Sequence, residues 1–166
     1  MALTIINAPS PNHNSRQGSS IDCIVIHDTE CETAKAALSW FESPESQVSA
    51  HYVIDRDGTT YRCVPDELRA WHAGASELDG RANVNDFSLG IELAGFAVGN
   101  YTAHQIDAVV DLCIDLCRRY PAITVARIVG HQDIAIPVGR KTDPGPQFPW
   151  NDVRERIAAG IHGVVV

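Results

Sequence analysis

Apolar residues along the chain follow two rhythms, one of strands and one of helices. Ile21 to Ile26 is short, apolar and rich in β-branched residues, the profile of a buried strand. Thr33 to Phe41 changes period, with Ala34, Ala37, Leu38 and Phe41 at helical spacing. Ala50–Ile54 and Thr59–Val64 are strand-like runs joined by Asp55-Arg56-Asp57-Gly58, where Asp-Gly supplies the positive φ of a tight hairpin. The polar stretch Ala75 to Asp86 reads as a surface loop, and Ser88 to Leu93 as a strand. Ala103 to Tyr120 is the clearest helix: Thr102 and Gln105 form a capping box, Ile106, Val109, Val110, Cys113, Leu116 and Cys117 make one stripe, and Pro121 ends it. Val125 to Val129 reads as another strand, and Trp150 to Ile157 as a last helix.

Strands interleaved with helices predict a single α/β domain, a central mixed β-sheet flanked by helices. Residues 1–20, rich in Pro, Asn, Ser and Gly, read as an N-terminal arm, leaving 21–166 as the folded domain. A length of 166 residues is ample for one core and short for two.

Composition narrows the function. A formal charge of −8 with no basic stripe argues against nucleic acid. No apolar run approaches the roughly 20 residues that span a bilayer, so no membrane insertion is expected. Met1 to Ile6 lacks the charged and apolar regions of a secretion signal, which predicts synthesis in the cytoplasm without a signal peptide. Five cysteines without a C-x-x-C pair suit reduced core thiols better than a disulfide framework. A monomer is expected.

The candidate chemistry gathers where strands end. Cys23-Ile24-Val25-Ile26 runs into His27 and Val125 to Val129 into Gly130-His131, placing both imidazoles at strand carboxyl ends, where α/β sheets collect ligands. They form either one shared site or two separately capped histidines. Asp143 precedes Pro-Gly and is either a turn former or a third ligand; the loop from Gln132 to Phe148 is stiffened by three prolines and two glycines, which suits a ligand carrier. Two imidazoles and a carboxylate match a catalytic zinc site with one position open for water.

Alternation in Leu89-Gly90-Ile91-Glu92-Leu93 sets Glu92 opposite the apolar positions, either on an exposed face or held as a general base. Lys141 is either a solvated loop lysine or an oxyanion partner. His51 could orient a ligand from behind, and Trp71-His72 could wall a pocket; either histidine could equally be a satisfied core residue. Cys23, Cys31 and Cys63 lack the setting that would make a nucleophile, and His13, His104 and His162 need no role.

Six ordered blocks carry a resemblance: Ile24-Val25-Ile26-His27-Asp28-Thr29; Ser49 to Ile54 with Arg56-Asp57-Gly58; Ala70-Trp71-His72-Ala73-Gly74; Asn85 to Leu93; Val129 to Asp133; and Gly139 to Pro146. From about Ile21 to Trp150 the chain resembles the zinc-dependent N-acetylmuramoyl-L-alanine amidases of the second type, which share a fold with peptidoglycan recognition proteins and phage amidase-lysozymes. The resemblance implies Zn²⁺ on His27, His131 and Asp143, Glu92 as acid/base and Lys141 as electrostatic stabiliser. Some relatives carry a catalytic tyrosine where this chain has Ala50, which moves proton transfer to Glu92. The implied reaction is hydrolysis of the amide between N-acetylmuramic acid and L-alanine in peptidoglycan or a muropeptide. Trp71, His72, Asp28, Asn83 and Asn85 are the expected substrate contacts. A phage-type endolysin acting on the cell wall is the leading expectation. A cytosolic muropeptide-recycling amidase and a non-catalytic peptidoglycan-binding module are the alternatives.

Overall fold

The computed structural model describes residues 4–163; residues 1–3, part of the segment read for a secretion signal, and 164–166 lie outside it. In chain order the elements are β1 (Ile5–Asn7), β2 (His13–Ser15), β3 (Cys23–Asp28), α1 (Ala34–Glu42), β4 (Tyr52–Ile54), β5 (Thr60–Arg62), β6 (Leu68–Ala70), β7 (Glu77–Leu78), β8 (Arg81–Ala82), β9 (Ser88–Leu93), α2 (Ala103–Arg119), β10 (Ile128–Gly130), α3 (His131–Ile134) and α4 (Trp150–His162). Six strands make the main sheet in the order β1-β5-β4-β9-β3-β10, with β4/β5 antiparallel and the other pairs parallel. This is the expected mixed α/β sheet in one domain.

The two faces bury different partners. Ile24, Ile26, Leu89, Ile91 and Leu93 point to one side and pack with the apolar stripe of α2 and with Val153 and Ile157 of α4. Cys23, Val25 and Val129 point to the other, against Phe87, Val84 and Ile134, while α1 covers Val53 and Cys63 farther along. The capping box of α2 forms as predicted, Gln105 N–H donating to Thr102 Oγ1 at 3.1 Å and Thr102 N–H to Gln105 Oε1 at 3.1 Å. Four of the five cysteines are buried in these clusters. Among the described residues, no helix is long and apolar enough to cross a membrane.

Three segments depart from the sequence reading. The N-terminal arm is packed: β1 extends the main sheet alongside β5, and β2 pairs antiparallel with β6. Its polar side chains serve the neighbouring backbone. The Arg16 guanidinium, 5% exposed, donates to the carbonyls of Asp66, Asn85, Asp86 and Ser88, and the Asn12 amide to those of Phe41, Ser43 and Val48. The stretch read as a surface loop holds the β7–β8 hairpin and a 3₁₀ turn, Val84–Asp86, with Val84 and Asn85 buried. Residues Val125–Arg127 wind a 3₁₀ turn instead of opening the last strand, because Arg127 turns back to pair with Asp22 at 2.8 Å and Asp79 at 2.6 Å. Tertiary ion pairing overrides the β-branched preference there.

Candidate metal centre

His27 is the fifth residue of β3, inside the strand rather than in the turn beyond it, and His131 opens α3 directly after β10. Because β3 and β10 are parallel neighbours, with Gly130 paired to Ile26, the two histidines meet at one end of the sheet. Asp143 arrives on the loop after α3, tied down by Gln132 N–H donating to its carbonyl at 3.0 Å. Tyr101 OH holds the next carbonyl, Pro144 O, at 2.6 Å. Gly145 lets the loop come this close: with φ +81° it sits in the left-handed region, and a Cβ there would lie 2.0 Å from Ala97 O.

Three donor atoms converge. His27 Nδ1 stands 3.0 Å from His131 Nδ1, and each is 3.1 Å from Asp143 Oδ2. All three residues are buried. Donor atoms bound tetrahedrally at roughly 2.0–2.1 Å stand about 3.3 Å apart, so this near-equilateral triangle fits a small cation. The second nitrogen of His131 supports that reading. Nε2 lies 3.1 Å from Ala73 O, a carbonyl that can only accept, so the imidazole proton belongs on Nε2 and Nδ1 is a bare lone pair. Burial pushes the His27 imidazole down to about 4, against the pull of Asp143, so it is neutral at ordinary pH. Lone pairs this close repel one another unless a cation lies among them. The set could hold a metal ion.

Other charged groups surround the triangle. Glu92 is the register partner of His27 across β3/β9, so both side chains share the face that the alternation predicted. Its Oε2 is sealed from solvent and has no hydrogen-bond partner, and burial, reinforced by Asp143 and Asp28, raises its pKa well above the usual carboxylate range. Asp28 is also buried, with Oδ1 taking the Glu30 amide at 2.9 Å and Oδ2 unpartnered; burial moves it up to about 6. Lys141 is exposed on the loop that carries Asp143 and reaches the same cavity. That cavity, of about 210 Å³, is lined by His27, His131, Asp143, Glu92, Lys141, Asp28, Trp71 and His72.

Several sequence expectations change place. Asn83 is exposed and away from the cavity. Asn85 is buried behind the site, its Oδ1 accepting from the amides of His72 at 3.1 Å and Ala73 at 2.8 Å, so it shapes the chain at His72 rather than facing the cavity. His72 is 8% exposed and its Nδ1 lies 3.0 Å from His27 Nε2, which places it directly behind His27. His51 lies one layer deeper, with Nδ1 accepting from Gly90 N–H at 3.0 Å and Nε2 3.0 Å from Leu68 O. Trp71 keeps a cavity position, its indole N–H donating to Asn14 Oδ1 at 2.9 Å. Sequence reasoning missed Trp40, Val48 and Thr29 on the cavity wall. Trp40 carried a signal: it falls off the apolar stripe of α1 and is 60% exposed.

The family model described as N-acetylmuramoyl-L-alanine amidase matches residues 17–146. The 1,6-anhydro-N-acetylmuramyl-L-alanine amidase AmpD of Enterobacter cloacae is 37% identical, over 87% of this chain and 86% of its own. A crystal structure of a selenomethionine derivative of AmpD superposes with a TM-score of 0.81 and 34% identity, covering 94% of this chain and 95% of that one. The Escherichia coli amidase AmiD, solved in complex with anhydro-N-acetylmuramic acid-L-Ala-D-γ-Glu-L-Lys, gives a TM-score of 0.74 at 32% identity, covering 84% of this chain and 59% of that one.

Proposed function

The chain belongs to the N-acetylmuramoyl-L-alanine amidase family, and on that premise we propose that it hydrolyses the amide joining N-acetylmuramic acid to the L-alanine of a stem peptide. The observation that carries the reading is the triangle of His27, His131 and Asp143 with Glu92 and Lys141 on the same cavity. Those three residues would hold Zn²⁺, which when bound would supply the charge to acidify a water and polarise the scissile carbonyl. Glu92 takes the proton of the attacking water and passes it to the leaving amine of L-alanine. Desolvation supports the role, since it makes the carboxylate a stronger base for the proton of the attacking water. Lys141 supplies fixed positive charge to the developing oxyanion. Trp71 and Asp28 contact the substrate, and Trp40 joins them as a face for a sugar or peptide.

We favour soluble anhydro-muropeptides over polymeric wall as substrate. Near full-length similarity to a protein named for the 1,6-anhydro sugar supports this, and it replaces the endolysin as the leading reading. On this reading the enzyme works in the compartment where it is made. Purified protein should release peptides beginning with L-alanine from anhydro-muropeptides, and a chelator should stop it. Mass spectrometry of the products decides. Glycan-chain cleavage would overturn the amidase reading, and faster solubilisation of intact sacculi than of small muropeptides would restore the endolysin.

A further inference from the structure

We propose that Ser88 and His72 form a positioning relay that fixes the tautomer of His27, holding its Nδ1 as a bare lone pair directed at the metal position. The proposal rests on the metal-centre reading above and adds two residues to it.

The relay follows from counting protons outward from a carbonyl. Ser88, fully buried at the start of β9, lies 2.7 Å from Val84 O and 3.2 Å from His72 Nε2. A carbonyl cannot donate, so the single hydroxyl proton of Ser88 goes to Val84 O. Ser88 Oγ can then only accept from His72 Nε2, which therefore carries the His72 proton. That leaves His72 Nδ1 as an acceptor. Its partner at 3.0 Å is His27 Nε2, which must donate. A neutral imidazole with its proton on Nε2 presents Nδ1 unprotonated, and His27 Nδ1 is the atom facing His131 and Asp143.

The pocket is built to keep this order. The His72 ring is buried with both nitrogens engaged, Nε2 facing Ser88 Oγ and Nδ1 facing His27 Nε2, so it serves as one donor and one acceptor. Asn85 fixes the backbone at His72 and Ala73 with two amide contacts. Gly90 clears the space: a Cβ there would stand 2.5 Å from His72 Cγ. His131 reaches the same protonation by a shorter route, through Ala73 O. Backbone carbonyls thus set both imidazole tautomers, one directly and one through two side chains.

Breaking the relay should act through the proton. With Ser88→Ala, His72 Nε2–H loses its acceptor and the ring can place its proton on Nδ1 instead. It then opposes His27 Nε2–H, and His27 relieves the conflict by moving its own proton to Nδ1, where it occupies the metal lone pair.

The test reads the tautomer in metal-free full-length protein, by long-range ¹H–¹⁵N correlation spectra of ¹⁵N-histidine-labelled samples, alongside zinc affinity by chelator competition. Wild type is expected to show His27 wholly as the Nε2–H form. His72→Phe should mix the His27 tautomers and weaken zinc about 10–100-fold, the range for losing an outer-shell partner. His72→Asn, whose amide oxygen can replace the Nδ1 acceptor, should restore most of both. A wild-type His27 protonated on Nδ1 would overturn the relay, as would folded His72→Phe with unchanged spectra and affinity. Should His72→Phe fail to fold, Ser88→Ala decides by the same two readouts. A wild-type protein that binds no zinc would defeat the metal reading, while the metal-free spectra would still judge the relay.

Discussion

Glu92→Gln should separate catalysis from folding. Gln keeps the shape of the side chain and removes its ability to take a proton. General acid–base catalysis contributes roughly 10²–10⁴ in rate, so turnover should fall by that factor, about 2.7–5.5 kcal/mol at 1.36 kcal/mol per decade. Stability should move the other way. Glu92 Oε2 is sealed from water without a partner, and a buried polar group left unsatisfied costs about 1–3 kcal/mol. Gln leaves a polar atom in that position, but it removes the charge repelled by Asp143 and Asp28, and about 1 kcal/mol gained that way raises Tm by roughly 2–4 °C in a chain of this size. Zinc affinity should stay within a few-fold, because Glu92 is outside the triangle of donor atoms. Release of L-alanine-headed peptides measured by chromatography and mass spectrometry, with calorimetry of the metal-free protein, tests both halves. Near-normal turnover would remove Glu92 from the mechanism. A Tm lowered by several degrees would show that the carboxylate holds structure rather than strains it.

Gly90→Ala places a Cβ 2.5 Å from the His72 ring, an overpacking worth about 1–3 kcal/mol against the roughly 0.4–1 kcal/mol that Ala gains in the unfolded chain, so calorimetry should show a lower Tm. Trp40→Ala, at a position 60% exposed on the cavity wall, should leave Tm unchanged and raise KM for a muropeptide about fivefold, the value of about 1 kcal/mol of lost stacking; an unchanged KM would take Trp40 out of the substrate site. His51 is held at about 3 by burial and then by the Arg16 charge, well below the 6.5 of the unfolded chain. The unfolded state therefore binds the extra proton between those values, and its contribution to stability, complete above pH 6.5, is lost as pH falls toward 3 at up to about 1.36 kcal/mol per pH unit. Denaturant titrations at pH 7 and 5 should show a shallower loss for His51→Gln than for wild type; equal slopes would mean that His51 is not the group titrating.

What could be read from the sequence was what neighbouring residues determine together. The T-x-x-Q signal before α2, the Asp-Gly turn between β4 and β5 and the alternation through Leu89-Gly90-Ile91-Glu92-Leu93 each involve groups within a few positions, and each has its structural counterpart. Arg16 and Asn12 could not be read that way. Their composition signals an unpacked arm, but their partners are carbonyls about 29 to 72 residues away, and no local pattern announces a side chain that satisfies distant backbone. His72 was legible as a cavity residue; its place behind His27 depends on Ser88 and the bare Gly90 of β9 on one side and on His27 of β3 on the other, contacts that form only in the assembled fold.

The placement of the chemistry follows from strand register. In the parallel β3/β9 pair Cys23 lies opposite Ser88, and the ladder runs without a bulge to Asp28 opposite Leu93. Side chains alternate, so His27 and Glu92 fall on the same face as Ser88 and Gly90, while Ile24, Ile26, Leu89, Ile91 and Leu93 fill the opposite one against α2. A slip of one residue in β9 would turn Ile91 and Leu93 toward the donor triangle and press Glu92 into the apolar core. Three large aliphatic side chains, all fully buried, oppose that slip, each worth about 1.5–3 kcal/mol by burial. The hydrophobic alternation that pins the sheet therefore also fixes Glu92 beside His27 and seats Ser88 under His72. Substitutions that erode the alternation, such as Ile91→Ser, should lose zinc affinity and turnover together with stability, whereas Glu92→Gln loses turnover alone.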